Sequence, residues 1–153
     1  MHPNTELYEH DFFTWTQTTA ALIRQGKWYE VDPERVAEEL ESLGKSNRRE
    51  MGSRLQVLLV HLLKWQIQPG RRVHSHRWYD TIVEQRDQLQ ELLSDSPSLR
   101  AEMLALLAQR YRRARQKACD EMHVPEVTLP LECPWSVEQL LDEAFFPEAA
   151  DQA

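Results

Sequence analysis

The chain has 153 residues, 41% hydrophobic and 28% charged, with four glycines and a formal net charge of -7. That balance predicts one soluble globular domain over residues 1–153 and excludes a fibrous or intrinsically disordered chain. So few glycines also leave little material for phosphate-cradling loops or tight hairpins.

The opening stretch, MHPNTELYEHD, has no basic segment ahead of an apolar core. No secretory leader is expected, and the protein is assigned to the cytoplasm. A first helix is predicted from near Asp11 to about Gln25, with Phe12, Trp15, Thr19, Leu22 and Ile23 on one side and Gly26 as its stop. Asp32-Pro33 is a strong start signal, since an aspartate cap satisfies free amides and proline fits the first helical turn. The second helix that opens there carries the stripe Val36, Leu40, Leu43, slips around Gly44, and resumes as Met51, Leu55, Leu58, Leu62, Trp65. Gly44 is expected to kink or split it. A parallel stripe, Leu59, Leu63 and Ile67, predicts that residues 51–67 are buried by more than one neighbour. This is the most apolar run, yet Leu55 to Ile67 is interrupted by Gln56, His61 and Lys64. A membrane span needs roughly 20 apolar residues, so no membrane partner is expected.

Gln68-Pro69-Gly70 predicts the end of that helix and a reversal. A third helix follows from about Ser75 to Leu93, with Trp78, Ile82, Gln85, Leu89 and Leu92 on its apolar side and Arg86 elsewhere. Ser96 is predicted to cap a fourth, with Pro97 in its first turn, running to about Met122. HVPEVTLPLECP has three prolines and no helical period, so it should wrap across the bundle. Ser136 and Gln139 form a capping-box pattern that opens a last short helix with Leu140, Leu141 and Phe145. The fold class predicted is all-α: a helical bundle of four longer helices plus a short C-terminal helix and an extended proline-containing tail segment. The termini, about residues 1–7 and 148–153, are expected to fray.

The charge is unevenly laid out. Residues 1–44 hold nine acids and three bases, 45–118 seven acids and fifteen bases, and 119–153 nine acids and no base. Either the acidic ends fold back over the basic middle, or the middle presents a face to an anionic partner such as nucleic acid. The richest corner is HLLKWQIQPGRRVHSHRWYDTI, residues 61–82. Its candidate binding residues are His61, Trp65, Arg71, Arg72, His74, His76, Arg77 and Trp78. His61 interrupts an apolar helix four residues before Trp65, where it can be a ligand, a base or a hydrogen-bonded core-edge histidine. The arginines and aromatics can hold phosphates and stack bases, as single-strand binders do, or can simply pack and complement helix ends.

His74 and His76 with Cys119 and His123 could in principle make a tetrahedral zinc site, but strong zinc signals pair close cysteines, and none occurs. Cys119 and Cys133 fit reduced thiols rather than a disulfide. Glu38 and Glu41 lie one turn apart, yet Glu41 with Lys45 and Glu50 with Arg54 have the spacing of ordinary surface pairs. Nucleotide-binding, hydrolase and zinc-protease motifs are all missing. No catalytic residue, metal or cofactor is assigned.

The strings LLVHLLKWQIQP, Trp78 with Thr81-Ile82, EQR at 84–86, YEHDFFTW, AEELESLGKSNRRE at 37–50, SPSLR at 96–100 and CPWSVEQLLDEAFFP at 133–147 resemble the bacterial family called domain of unknown function 29. The resemblance covers nearly the whole chain and implies a small all-α bundle without assigned activity. The family's link before Trp78 is shorter and carries serines where this chain has VHSHR, so His74 and His76 are expected to be local to this protein. The function expected is a non-enzymatic protein-binding or adaptor module with an unknown protein partner. The alternative is a nucleic-acid or anion binder using residues 45–118, and a metal-dependent enzyme ranks below both. A homo-oligomer is left open.

Overall fold

The computed structural model describes residues 4–72 and 76–150. His74 and the predicted helix start at Ser75 lie outside the described residues. The described chain is all-α, without strands, and divides into two compact units, Met1–Lys45 and Ser46–Ala153.

In the first unit, α1 (Thr5–His10) is followed by α2 (Phe12–Arg24) and a 3-10 turn at Trp28–Glu30. Asp11 caps α2: its carboxylate accepts from the Thr14 amide at 3.0 Å and the Thr14 hydroxyl at 2.7 Å, which holds its pKa below the ordinary value. Gly26 ends α2 as expected, at φ +70°, with Lys27 N–H donating to the Leu22 carbonyl and Gly26 N–H to the Ile23 carbonyl. That six-to-one, five-to-two pair closes the helix and needs a left-handed residue between its arms. Around Tyr8 the rings of Phe12 and Trp15 gather at 5.6 and 5.0 Å, and the Arg35 guanidinium lies 4.6 Å from the Tyr8 centroid.

Helix α3 (Pro33–Ile67) opens where Asp32-Pro33 predicts, the Asp32 carboxylate accepting from the Arg35 amide at 3.3 Å. It runs on without a break at Gly44. Leu40 and Leu43, expected on a buried stripe, are each 63% exposed, and every residue from 40 to 50 is exposed. Periodicity marks an apolar face; it does not guarantee that a described element of this chain covers it.

The second unit is built on the remainder of α3. Met51, Leu55, Leu58, Leu59, Leu62 and Leu63 are buried, so both predicted stripes are used at once. Pro69 does not simply stop the chain: it opens a one-turn helix, α4 (Pro69–Arg72). Proline is suited to that first position, where its missing N–H costs nothing. Helix α5 (His76–Asp95) adds Ile82 and Leu89 to the core. Helix α6 (Leu99–Met122) starts two residues after Pro97, because Ser96 and Pro97 first make a turn in which Leu99 and Arg100 amides donate back to their carbonyls. It ends at His123, left-handed at φ 56°, with Val124 N–H donating to the Cys119 carbonyl.

The proline-containing tail then crosses the helices as predicted. It buries Leu129, Trp135, Val137, Leu140 and Leu141, the last three on α7 (Val137–Leu141). The Ser136–Gln139 capping box forms in both directions. No described helix is long and apolar enough to cross a membrane.

Candidate functional site

The corner of α3, α4 and α5 is an aromatic joint closed by the C-terminal segment. Trp65 lies 5.0 Å from Phe146 and 6.5 Å from Tyr79, while Tyr79 and Phe146 stack at 5.5 Å with planes 9° apart. Arg72 reaches back across the turn, its Cζ 4.8 Å from the Trp65 centroid and its Nε donating to the Trp65 carbonyl at 2.6 Å. The Ala150 amide donates to the Gln66 carbonyl, so the joint is sealed by backbone as well as by rings. Trp78 is half-buried with the Lys64 ammonium 6.0 Å from its centroid. Of the predicted binding residues, His61, Trp65, Arg72 and Trp78 belong to this packed region, whereas Arg71, His76 and Arg77 are exposed.

His61 sits one turn before Trp65, against α6. Its Nδ1 is 2.8 Å from the Val57 carbonyl, which can only accept, so Nδ1 carries the ring proton and Nε2 is the free acceptor. Burial lowers its pKa, keeping the ring neutral, with Lys64, Lys117 and Glu121 as its charged neighbours. A notch of about 50 Å³ is lined by Val57, Val60, His61, Lys117 and Glu121. Lys64 donates to the Glu121 carboxylate and pulls its pKa down. Among the described residues no group of three His, Cys, Asp or Glu side chains is placed to hold a metal. Cys119 is buried while His123 is exposed. Burial raises both cysteine pKa values, which leaves them protonated and unreactive at neutral pH.

Four bases of the middle segment pair with the acidic C-terminal segment. Lys64 and Lys117 pair with Glu121, Arg115 with Glu126, and Arg100 with Glu138 at 2.6 Å. Arg115 also donates to the carbonyls of Glu126 and Leu129, and the Tyr111 hydroxyl to that of Pro130 at 2.7 Å. Burial pushes the Tyr111 pKa up to about 12, so it remains a donor throughout the usable pH range.

Arg86, placed off the apolar side by sequence reasoning, is only 1% exposed. Its Nε donates to the Leu140 carbonyl at 2.8 Å, its Nη2 lies 3.4 Å from the Gln139 carbonyl, and Gln90 donates to the Leu141 carbonyl at 2.8 Å. A helix of five residues cannot satisfy its own last carbonyls, and these two side chains, one turn apart on α5, do so instead. The signal was present: Arg86 stands between Ile82 and Leu89 at helical spacing.

A long apolar groove lies between α6 and the tail. A cavity of about 560 Å³ is lined by Pro97, Ala101, Leu104, Leu107 and Val137, with Arg100 and Glu138 at its edge. A second cavity of about 330 Å³ shares Leu104 and Leu107 and continues past Tyr111 to Arg112, Leu131 and Glu132. Leu104 is 66% and Leu131 80% exposed, which is unusual for leucines facing a concavity. Sequence reasoning missed this groove because its two walls come from separate segments.

A family model described as Domain of unknown function DUF29 matches residues 7–146. No curated protein matches the chain, and no solved structure matches it.

Proposed function

The chain belongs to the Domain of unknown function DUF29 family, and we propose that it works as a protein-binding module whose groove between α6 and the C-terminal tail seats an amphipathic helix of a protein partner. The observation that carries this reading is the continuity of the two cavities along α6, from Pro97 to Arg112, over an apolar floor at Leu104 and Leu107. At 1.5 Å per residue that stretch is roughly 22 Å, about four turns of a bound helix. An apolar channel with charged ends is the form that helix-in-groove recognition takes, with anchors at three- and four-residue spacing filling the channel. Arg100 with Glu138 and Arg112 with Glu132 stand at the two ends and would fix the direction of the bound helix.

The corner at Trp65 contributes differently. Its rings hold the tail that forms one wall of the groove, so it supports the site rather than meeting the partner.

Leu104→Asp tests the reading cleanly, because a residue 66% exposed contributes little to folding. The variant should keep its melting temperature within about 2 °C of the parent. A protein retained from native lysate by the parent chain at both low and high salt should be lost to the variant, and hydrogen exchange in the isolated complex should slow over residues 97–112. Equal retention by both chains would sink the groove, and nucleic acid released by salt would move the assignment to the basic residues of 45–118.

A further inference from the structure

We propose that a cavity between α5 and the segment after α7, floored by Arg86 and rimmed by Asp87 and Glu143, binds a free amino acid, its carboxylate on the guanidinium and its ammonium between the two acids. The inference is independent of the groove and starts from a donor that the fold leaves over. Arg86 is 1% exposed, and its Nε and Nη2 form the edge turned to the α7 carbonyls. Nη1 points away from that edge, is closed from bulk solvent and has no hydrogen-bond partner among the described residues. Arg86 also takes part in no ion pair among them. A buried guanidinium with neutral acceptors on one edge and nothing on the other is costly, because desolvation disfavours the charge and the spare donor has given up its water. Burial lowers its pKa for that reason, while Asp142 and Glu143 act in the opposite sense.

The charges around the cavity select what can enter. Its volume is about 340 Å³, and it is lined by Tyr79, Val83, Arg86, Asp87 and Glu143. That is near the lower end of the range of roughly 300–1,000 Å³ found for small-molecule sites. Arg86 is the buried member of the five and so forms the floor, whereas Asp87 and Glu143 are exposed and stand at the rim. Neither acid takes part in an ion pair among the described residues. A ligand that is only an anion would suit the floor but meet two carboxylates on the way in. A ligand that is only a cation would leave Nη1 unpaired. A molecule with a carboxylate and an ammonium a few bonds apart satisfies both ends at once. Its carboxylate accepts a charge-assisted bond from Nη1, and its three ammonium protons can be shared between Asp87 and Glu143. Tyr79 and Val83 add an apolar wall, which favours an amino acid with an apolar side chain. Because the two rim acids are exposed, their rotamers are free to open the mouth and close behind the ligand.

Saturation-transfer NMR on the full chain, with each of the standard amino acids as a free solute, identifies the binder, and isothermal titration then measures it. The best of them should bind with a Kd between about 10 µM and 1 mM. Its amide, which lacks the carboxylate, and its N-acetyl form, which lacks the ammonium, should each bind about tenfold more weakly or worse, the worth of one hydrogen bond to a charged group. Asp87→Asn with Glu143→Gln should weaken binding by a similar factor with an unchanged circular dichroism spectrum, since both acids are exposed. Asp95→Asn removes an exposed acid at the far end of α5, outside the cavity, and should leave binding unchanged. Failure of every standard amino acid to bind, an amide or N-acetyl form that binds as well as its parent, or a double variant that binds like the parent chain would each overturn the amino-acid site.

Discussion

His61 is the residue at which chemistry and packing are easiest to confuse. A histidine inside an apolar stripe reads equally well as a ligand or as a core-edge group, and its hydrogen bond to the Val57 carbonyl one turn back supports the second. The pH consequence has a definite sign. Burial holds the folded-state pKa below the ordinary 6.5, so below that pH the unfolded chain takes up a proton that the folded chain resists. The stability His61 contributes is present above pH 6.5 and is lost as pH falls through its lowered folded value. Glu121 stays ionised across that window, because Lys64 holds its pKa below the ordinary value. Denaturant unfolding at pH 7.5 and 5.5 should show the parent chain losing more stability on acidification than His61→Phe. An identical loss in both would mean that the ring protonates freely in the folded state. Arg86 carries the complementary lesson: a guanidinium among leucines looks like an error in the stripe until the carbonyls it serves are in view.

At the scale of elements, what could be read from sequence was local chemistry. Asp32-Pro33, Gly26 and the Ser136–Gln139 box each act within a few residues, and each does in the structure what its physics requires. Gly44 and Ser96-Pro97 mislead for the same reason in reverse. A helix of this length tolerates Gly44 in its interior at a cost of about 1 kcal/mol. A proline start is postponed when the preceding turn satisfies the amides first, as Ser96 and Pro97 do here. Helix α7 shows why locality fails: five residues make a stable helix only because α5 supplies its C-terminal partners. Arg86→Met keeps most of the bulk and removes the donors, leaving the Leu140 carbonyl unpaired, whereas the Gln139 carbonyl keeps the Asp142 amide. The expected cost is about 2 kcal/mol, at the middle of the range for abandoning a buried acceptor. Chemical denaturation should register that loss, and limited proteolysis should cut first between residues 139 and 150. Parent-like stability and proteolysis would mean that water replaces the guanidinium at no cost.

For the whole molecule, the uneven charge of the sequence announced that an acidic end and a basic middle had business with something, without saying what. Helices can be counted from periodicity, but whether a tail crosses them depends on burial that no single segment encodes. In the second unit the tail from His123 to Leu141 does lie against α5 and α6, and two forces could hold it. Its ion pairs are open to solvent on at least one side: Arg100 and Glu138 are 54% and 72% exposed, and Glu126 is 64% exposed against an Arg115 that is 15% exposed. Such pairs are worth roughly 0–1 kcal/mol each. Against them stand the buried side chains of Leu129, Trp135, Val137, Leu140 and Leu141. Each of these contributes about 1.5–3 kcal/mol by leaving water. Burial therefore outweighs charge by several-fold, and the acidic composition of the tail governs what the surface attracts more than how the tail stays down. Raising sodium chloride to about 1 M shrinks the screening length to roughly 3 Å and silences the exposed pairs. Unfolding free energy should then fall by less than about 2 kcal/mol, whereas Trp135→Ala at low salt should cost about 3–5 kcal/mol. A tail that detaches in salt, seen as rapid hydrogen exchange over residues 124–141 with the helices still protected, would reverse that order and make the charge partition the force that closes the fold.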